Sequence, residues 1–99
     1  LNAAECVGIG RRCLERAVNY AGQRVVFGRP IGQNQSIQHP LAENWTELLA
    51  AELLTLRAAE LYDSGQPCGA EANAAKYFAG DAAFKAADQA VRTHGGMGY

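Results

Sequence analysis

Leu41-Ala42-Glu43-Asn44-Trp45-Thr46-Glu47-Leu48-Leu49-Ala50-Ala51-Glu52-Leu53-Leu54-Thr55-Leu56 sets large apolar residues at steps of three and four. That is the period of a helix with one face turned to a core. Extended both ways, Ile37, Leu41, Trp45, Leu48, Leu49, Leu53, Leu56, Ala59 and Tyr62 make one broad apolar stripe. Glu43, Glu47 and Glu60 mainly supply a solvated acidic face. Pro40 is tolerable only in or near a first turn, which predicts a start at about Gln35 to Ile37. The stop falls at Asp63, with Gly65 at a C-terminal cap position and Pro67 two residues on. About 27 residues of helix span roughly 40 Å.

Upstream, Leu1 to about Gln23 predicts a second helix, with Cys6, Gly10, Cys13, Leu14, Ala17 and Ala21 on one face. Gly8 and Gly10 each weaken it by up to about 1 kcal/mol relative to alanine. A closely packed neighbouring helix is the preferred reason for tolerating them. Downstream, residues from about Ala70 to His94 predict a third helix, with Ala72, Ala75, Ala79, Ala82, Ala86 and Ala90 as a stripe of small residues. Tyr77, Phe78, Phe84 and Val91 add bulk to its flanks. Asp81 with Lys85, and Asp88 with Arg92, are spaced for surface ion pairs of about 0.2–0.5 kcal/mol each.

Short connections between long helices predict antiparallel neighbours. The expected fold is therefore all-α, an antiparallel bundle. Three long helices with such broad stripes want a further partner, either a fourth helix beyond Tyr99 or another subunit. No strand signal and no internal repeat stand out. The chain begins at Leu1 and stops at Tyr99 directly after glycines, and is read as an internal segment of a longer protein.

Composition narrows the functional classes. The 99 residues carry a formal net charge of −1, so no global field draws nucleic acid or an anionic membrane. No basic run or aromatic ladder marks a nucleic-acid binder. No apolar run is long enough to span a bilayer. Cys6, Cys13 and Cys68 lack metal-ligand spacing, and Cys6 and Cys13 lie about 10 Å apart along one helix, too far for a disulfide. They read as buried free thiols in a reducing compartment, the cytoplasm or the mitochondrial matrix, and not a secreted protein.

Two glycine-bearing turns remain. Arg24-Val25-Val26-Phe27-Gly28-Arg29-Pro30-Ile31 follows the first helix, and Arg92-Thr93-His94-Gly95-Gly96-Met97-Gly98-Tyr99 ends the third. Either turn alone is an ordinary cap, since helices commonly end on glycine. Pro30 biases Arg29 toward an extended backbone. Asn34, Gln35 or Ser36 can each cap the long helix.

In order and in register, Arg24-x-x-Phe27-Gly28-x-Pro30-Ile31, Gln35-x-Ile37-Gln38, Leu41-Ala42-Glu43, Ala75-Lys76 with Ala79-Gly80-Asp81-Ala82-Ala83, and His94-Gly95-Gly96-Met97-Gly98-Tyr99 closely resemble the C-terminal helical domain of acyl-CoA dehydrogenases. The resemblance covers nearly all of residues 1–99. It implies a partial up-down four-helix-bundle domain whose fourth helix is missing from this chain. It also implies an FAD enzyme that oxidises an acyl-CoA thioester to the trans-2-enoyl product. A glutamate removes the α-proton and a hydride passes from the β-carbon to flavin N5. The cofactor carries the redox chemistry and the protein places it. Further implied are a dimer or tetramer built through this domain, and electron-transferring flavoprotein as the usual acceptor.

Residue by residue, the resemblance assigns Arg24 to a pyrophosphate oxygen, for which a guanidinium fork is suited. Phe27 matches an aromatic packed beside the cofactor, and Asn34 and Gln35 match a pair near its adenosine. Gly95 and Gly96 match glycines whose amides approach it. Arg92 stands where relatives more often have glutamine, and Val26 where some have a hydroxyl. His94 reads as structural. The catalytic base is expected outside this chain, and Glu5 is not promoted to it. Two alternatives stand beside this reading: a same-fold flavin monooxygenase or nitroalkane oxidase relative, and a cofactor-free helical interaction module in which both turns are only caps.

Overall fold

The structure is a computed structural model that describes residues 2–23, 25–26, 29–30 and 35–94, with side chains for 2–23 and 38–94. Three helices carry it: α1 (Asn2–Gln23), α2 (Gln35–Asp63) and α3 (Gly69–His94). Each boundary lies within a residue or two of the one the sequence predicts. Between α1 and α2, two short strands, β1 (Val25–Val26) and β2 (Arg29–Pro30), pair antiparallel with Val25 opposite Pro30 and Val26 opposite Arg29. The sequence gives no sign of them, because two residues are too few to set up an alternating pattern. Proline has no N–H to donate, and an antiparallel ladder alternates bonded and unbonded pairs, so Pro30 can be accommodated.

The turn between α2 and α3 closes on its own backbone. Gly65 adopts φ 74°, the left-handed region that glycine enters without cost. The N–H of Gln66 donates to Leu61 O at 2.9 Å and that of Gly65 to Tyr62 O at 3.1 Å. This is the paired capping pattern that satisfies the last carbonyls of a helix. α2 begins at Gln35, inside the predicted Gln35–Ile37 window, which places Pro40 just past the first turn. Its missing N–H leaves the carbonyl of Ser36 without the usual helical donor.

The core is one face of each helix. Ala3, Val7, Gly10, Leu14, Ala17 and Ala21 are the buried positions of α1. In α3 the alanine stripe is buried at Ala75, Ala79, Ala82, Ala86 and Ala90, joined by Ala83, while Ala72 is exposed. Two packed clusters result. Leu14, Ala17, Leu41, Leu48, Ala82, Ala86 and Ala90 fill the end toward the C-termini of α1 and α3. Ala3, Val7, Ala51, Ala75 and Ala79 fill the other, and Phe78 packs against both.

Gly10 explains itself here. A Cβ on it would stand 2.5 Å from Leu48 Cδ2 and 3.2 Å from the Cα of Ala83, so the glycine lets all three helices meet. A Cβ on Gly8 would meet nothing within 4 Å among the described residues, so close packing between these helices does not account for it. The cysteines are free, as expected, but half-buried rather than buried.

The α2 stripe is not one buried face. Leu41, Leu48, Ala51 and Leu61 are buried, whereas Trp45 is 59% exposed, Leu53 60% and Leu56 53%. The stripe is wider than two neighbouring helices can cover, so its outer flank faces away from the stack. Tyr77 and Phe84 on α3 are likewise exposed. Among the described residues, no helix is long and apolar enough to cross a membrane.

Candidate functional site

The two sequence turns leave from one end of the stack. Tyr20, in the last turn of α1, meets His94, the final residue of α3, with ring centroids 4.4 Å apart and planes tilted by 33°. His94 Nδ1 lies 2.7 Å from the carbonyl oxygen of Ala90. A carbonyl only accepts, so Nδ1 carries the proton and donates. Thr93 is 5% exposed, and its Oγ1 accepts from Gln89 Nε2 at 3.3 Å. Side chains therefore pin the last turn of α3 just before Gly95.

Electrostatics at this end are mixed. The C-terminal ends of α1 and α3 present partial negative charge, which opposes an anionic ligand. The amino end of the antiparallel α2 presents unbonded N–H groups that favour one. Arg92 and His94 lie in the last turn of α3, and Arg24 directly follows α1 in sequence. The Arg92 guanidinium thus stands where the helix ends alone would repel an anion.

Between the first half of α2 and the second half of α3 runs an open groove of ≈ 770 Å³, lined by His39, Glu43, Asn44, Glu47, Lys85, Asp88 and Gln89 among others. Lys85 Nζ reaches Asp81 at 3.1 Å and Glu47 at 3.3 Å, tying α3 to α2. The Asp81 hydrogen bond first, and that to Glu47 next, hold the Lys85 ammonium above its usual pKa. On the other side, Arg11 pairs with Glu52 across α1 and α2. Asn44 is buried, and its Nδ2 has no hydrogen-bond partner among the described residues. Such a donor costs about 1–3 kcal/mol when left unpaired.

Of the residues expected to hold a cofactor, Arg92 is described in full. It is exposed and its Nε pairs with Asp88 Oδ2 at 3.1 Å, the surface pair its spacing predicts. Gln35 opens α2. Arg24, Phe27, Asn34, Gly95 and Gly96 lie outside the described residues. Glu5 sits in the first turn of α1, at the end opposite the turns. Among the described residues no group of acidic, histidine or cysteine side chains could hold a metal. Sequence reasoning missed Tyr20 and Asn44. The signal for Asn44 was a polar residue at the helical spacing of Leu41 and Leu48; nothing local distinguishes Tyr20.

The Tyr20–His94 contact brings the C-terminal ends of α1 and α3 together.

Comparison with known proteins places the chain. A family model described as the C-terminal domain of acyl-CoA dehydrogenase matches residues 1–99. An acyl-CoA dehydrogenase of Bacillus subtilis is 53% identical over 97 residues, covering 98% of this chain and 26% of that protein. The structure of butyryl-CoA dehydrogenase from Megasphaera elsdenii superposes with a TM-score of 0.96 at 39% identity, covering 99% of this chain and 26% of the other. The FAD complex of PigA superposes at 0.94 with 31% identity, covering 97% and 25%. The chain thus spans about a quarter of the length of these relatives. Over all of its residues it belongs to the acyl-CoA dehydrogenase family, as the helical C-terminal domain.

Proposed function

We propose that the whole protein oxidises an acyl-CoA to a trans-2-enoyl-CoA with FAD, and that this domain grips a cofactor held mainly by a neighbouring subunit. The observation that carries the reading is the convergence of the α1 and α3 ends, from which Arg24 and Gly95-Gly96 depart. Arg24 would bind a pyrophosphate oxygen, Phe27 would pack beside the cofactor, and Asn34 and Gln35 would face its adenosine. The amides of Gly95 and Gly96 would approach it closely, with Arg92 at the margin. FAD bound there supplies the acceptor for the hydride leaving the acyl β-carbon. The base for the α-proton comes from chain outside residues 1–99, and no carboxylate here is given that role.

The outer flank of α2, with Trp45, Leu53 and Leu56 more than half exposed, supports the other half of the proposal. We assign it to burial by a fourth helix or a second subunit, giving a dimer or tetramer. Electron-transferring flavoprotein is the acceptor we propose, and the cytoplasm or mitochondrial matrix the compartment.

The test is the full-length protein. It should carry FAD, bleach its flavin absorbance on adding acyl-CoA, and release the enoyl product. Arg24→Ala should weaken flavin retention by roughly 1.5–3 kcal/mol, the worth of a charged hydrogen bond. Undiminished flavin after dialysis of that variant would remove Arg24 from the site. Residues 1–99 alone should bind FAD poorly and turn nothing over.

A further inference from the structure

We propose that the groove between α2 and α3 is a docking site for a basic segment of the same polypeptide, from the part of the protein outside residues 1–99. The occupant sets a backbone carbonyl on Asn44 and an arginine or lysine beside Glu43. The inference does not depend on the FAD reading above.

The groove is open, with a volume of ≈ 770 Å³. Asn44 lines it from α2 and is 6% exposed, and its Nδ2 has no hydrogen-bond partner among the described residues. Buried amide donors are nearly always paired, because an unpaired one has given up its water for nothing. The groove therefore calls for an acceptor.

It also calls for a cation. Glu43, Glu47 and Asp88 line the same groove. Lys85 is the one ammonium lining it among the described residues, and it is held by Asp81 at 3.1 Å and Glu47 at 3.3 Å. Asp88 pairs with Arg92 at 3.1 Å. Glu43 has no such partner among the described residues. It stands four residues before Glu47, the helical spacing at which like charges repel.

The two needs together select the occupant. A metal ion or a polyamine would answer the carboxylates but brings no acceptor for Asn44. A polypeptide brings both, a carbonyl on every residue and a cation on an arginine or lysine side chain. An open trough also suits a chain laid along it better than a small molecule, which binds where most of its surface is enclosed. Residues 1–99 span about a quarter of the length of the relatives, so chain outside them is available to fill it.

The test is thermal unfolding of the full-length protein with substitutions in the groove. Glu43→Gln keeps the shape of an exposed side chain and should lower the melting midpoint by about 1–3 °C. That loss should shrink in about 1 M salt. Asn44→Ala, which leaves room, and Asn44→Leu, which fills it, should both lower the midpoint by about 2–6 °C. Replacing the protein's arginines and lysines one at a time should find one outside residues 1–99 whose loss is not additive with Glu43→Gln, the mark of direct contact. Every variant should keep the parent's oligomeric state by size exclusion. A midpoint unchanged or raised by Glu43→Gln, or by either Asn44 variant, would overturn the docking site, since removing an unpaired donor or an unanswered charge does no harm. Additivity with every basic residue would overturn it as well. Non-additivity with Arg24 or Arg29 alone would put the cation within residues 1–99 and overturn the occupant. Dissociation of the variants' oligomer would put another copy in the groove, with the same consequence.

Discussion

The two ends of the helical stack are finished in different ways. At the far end, α2 passes to α3 through a turn that satisfies itself, with Gly65 at φ 74° and two backbone bonds returning to Leu61 and Tyr62. No side chain from elsewhere is needed. At the near end, the C-termini of α1 and α3 are joined by rings from opposite ends of the chain, Tyr20 and His94. The packing beneath differs as well. The near cluster contains Leu14, Leu41 and Leu48, while the far one is mostly alanine with Val7. A connection needs only to reverse the chain, whereas a site must hold separate segments at a fixed distance. Bulky packing and a side-chain contact are what such holding requires.

Substitutions can break or sharpen this contrast. The largest effect is expected at Leu48, 1% exposed and central to the near cluster. Leu48→Ala should cost about 2–5 kcal/mol by denaturant unfolding of the full-length protein, and lower flavin content with it. A small loss would mean that the near cluster is not what supports the turns. Gly10→Ala forces a methyl against Leu48 and the backbone of Ala83, and should destabilise by about 1–3 kcal/mol.

At the far end, Gly65→Ala should cost about 1–2 kcal/mol for the left-handed backbone. Its FAD dissociation constant should not change. A flavin defect there as large as that of Arg24→Ala would erase the distinction between the ends. The smallest effect is at Gly8, which has open space around it. Gly8→Ala should raise stability by up to about 1 kcal/mol, read as a higher unfolding midpoint.

Much of the fold was legible because its signals are local and repeated. The three- and four-residue period of α2, the alanines of α3, and Gly65 with Pro67 fixed helices and boundaries closely. What period cannot tell is how many neighbours a face will have. Trp45, Leu53 and Leu56 read as part of a stripe that wants a further partner, and they point outward because the stripe is broader than the stack. Pro40 located the start of α2, which falls at Gln35, and the helix continues past one missing bond. The pairing of Val25–Val26 with Arg29–Pro30 was invisible, being shorter than any period.

The site was legible in another way. Arg24, Phe27, Asn34, Gln35, Arg92, Gly95 and Gly96 were named through family resemblance, not through their own spacing. The Asp88–Arg92 pair, like Asp81–Lys85, followed from helical geometry, and both are present. Tyr20 was not legible, because a contact between the two ends of a chain leaves no trace in either neighbourhood. The same holds for Asn44, whose unpaired Nδ2 becomes evident only once α2 and α3 are packed.

The most direct test is a structure of the full-length protein with FAD bound. The account predicts that the Arg24 guanidinium and the Gly95 and Gly96 amides lie within hydrogen-bonding distance of one FAD, most of whose other contacts come from a neighbouring subunit. An FAD that touches neither turn, or touches one while the other faces solvent, would contradict it.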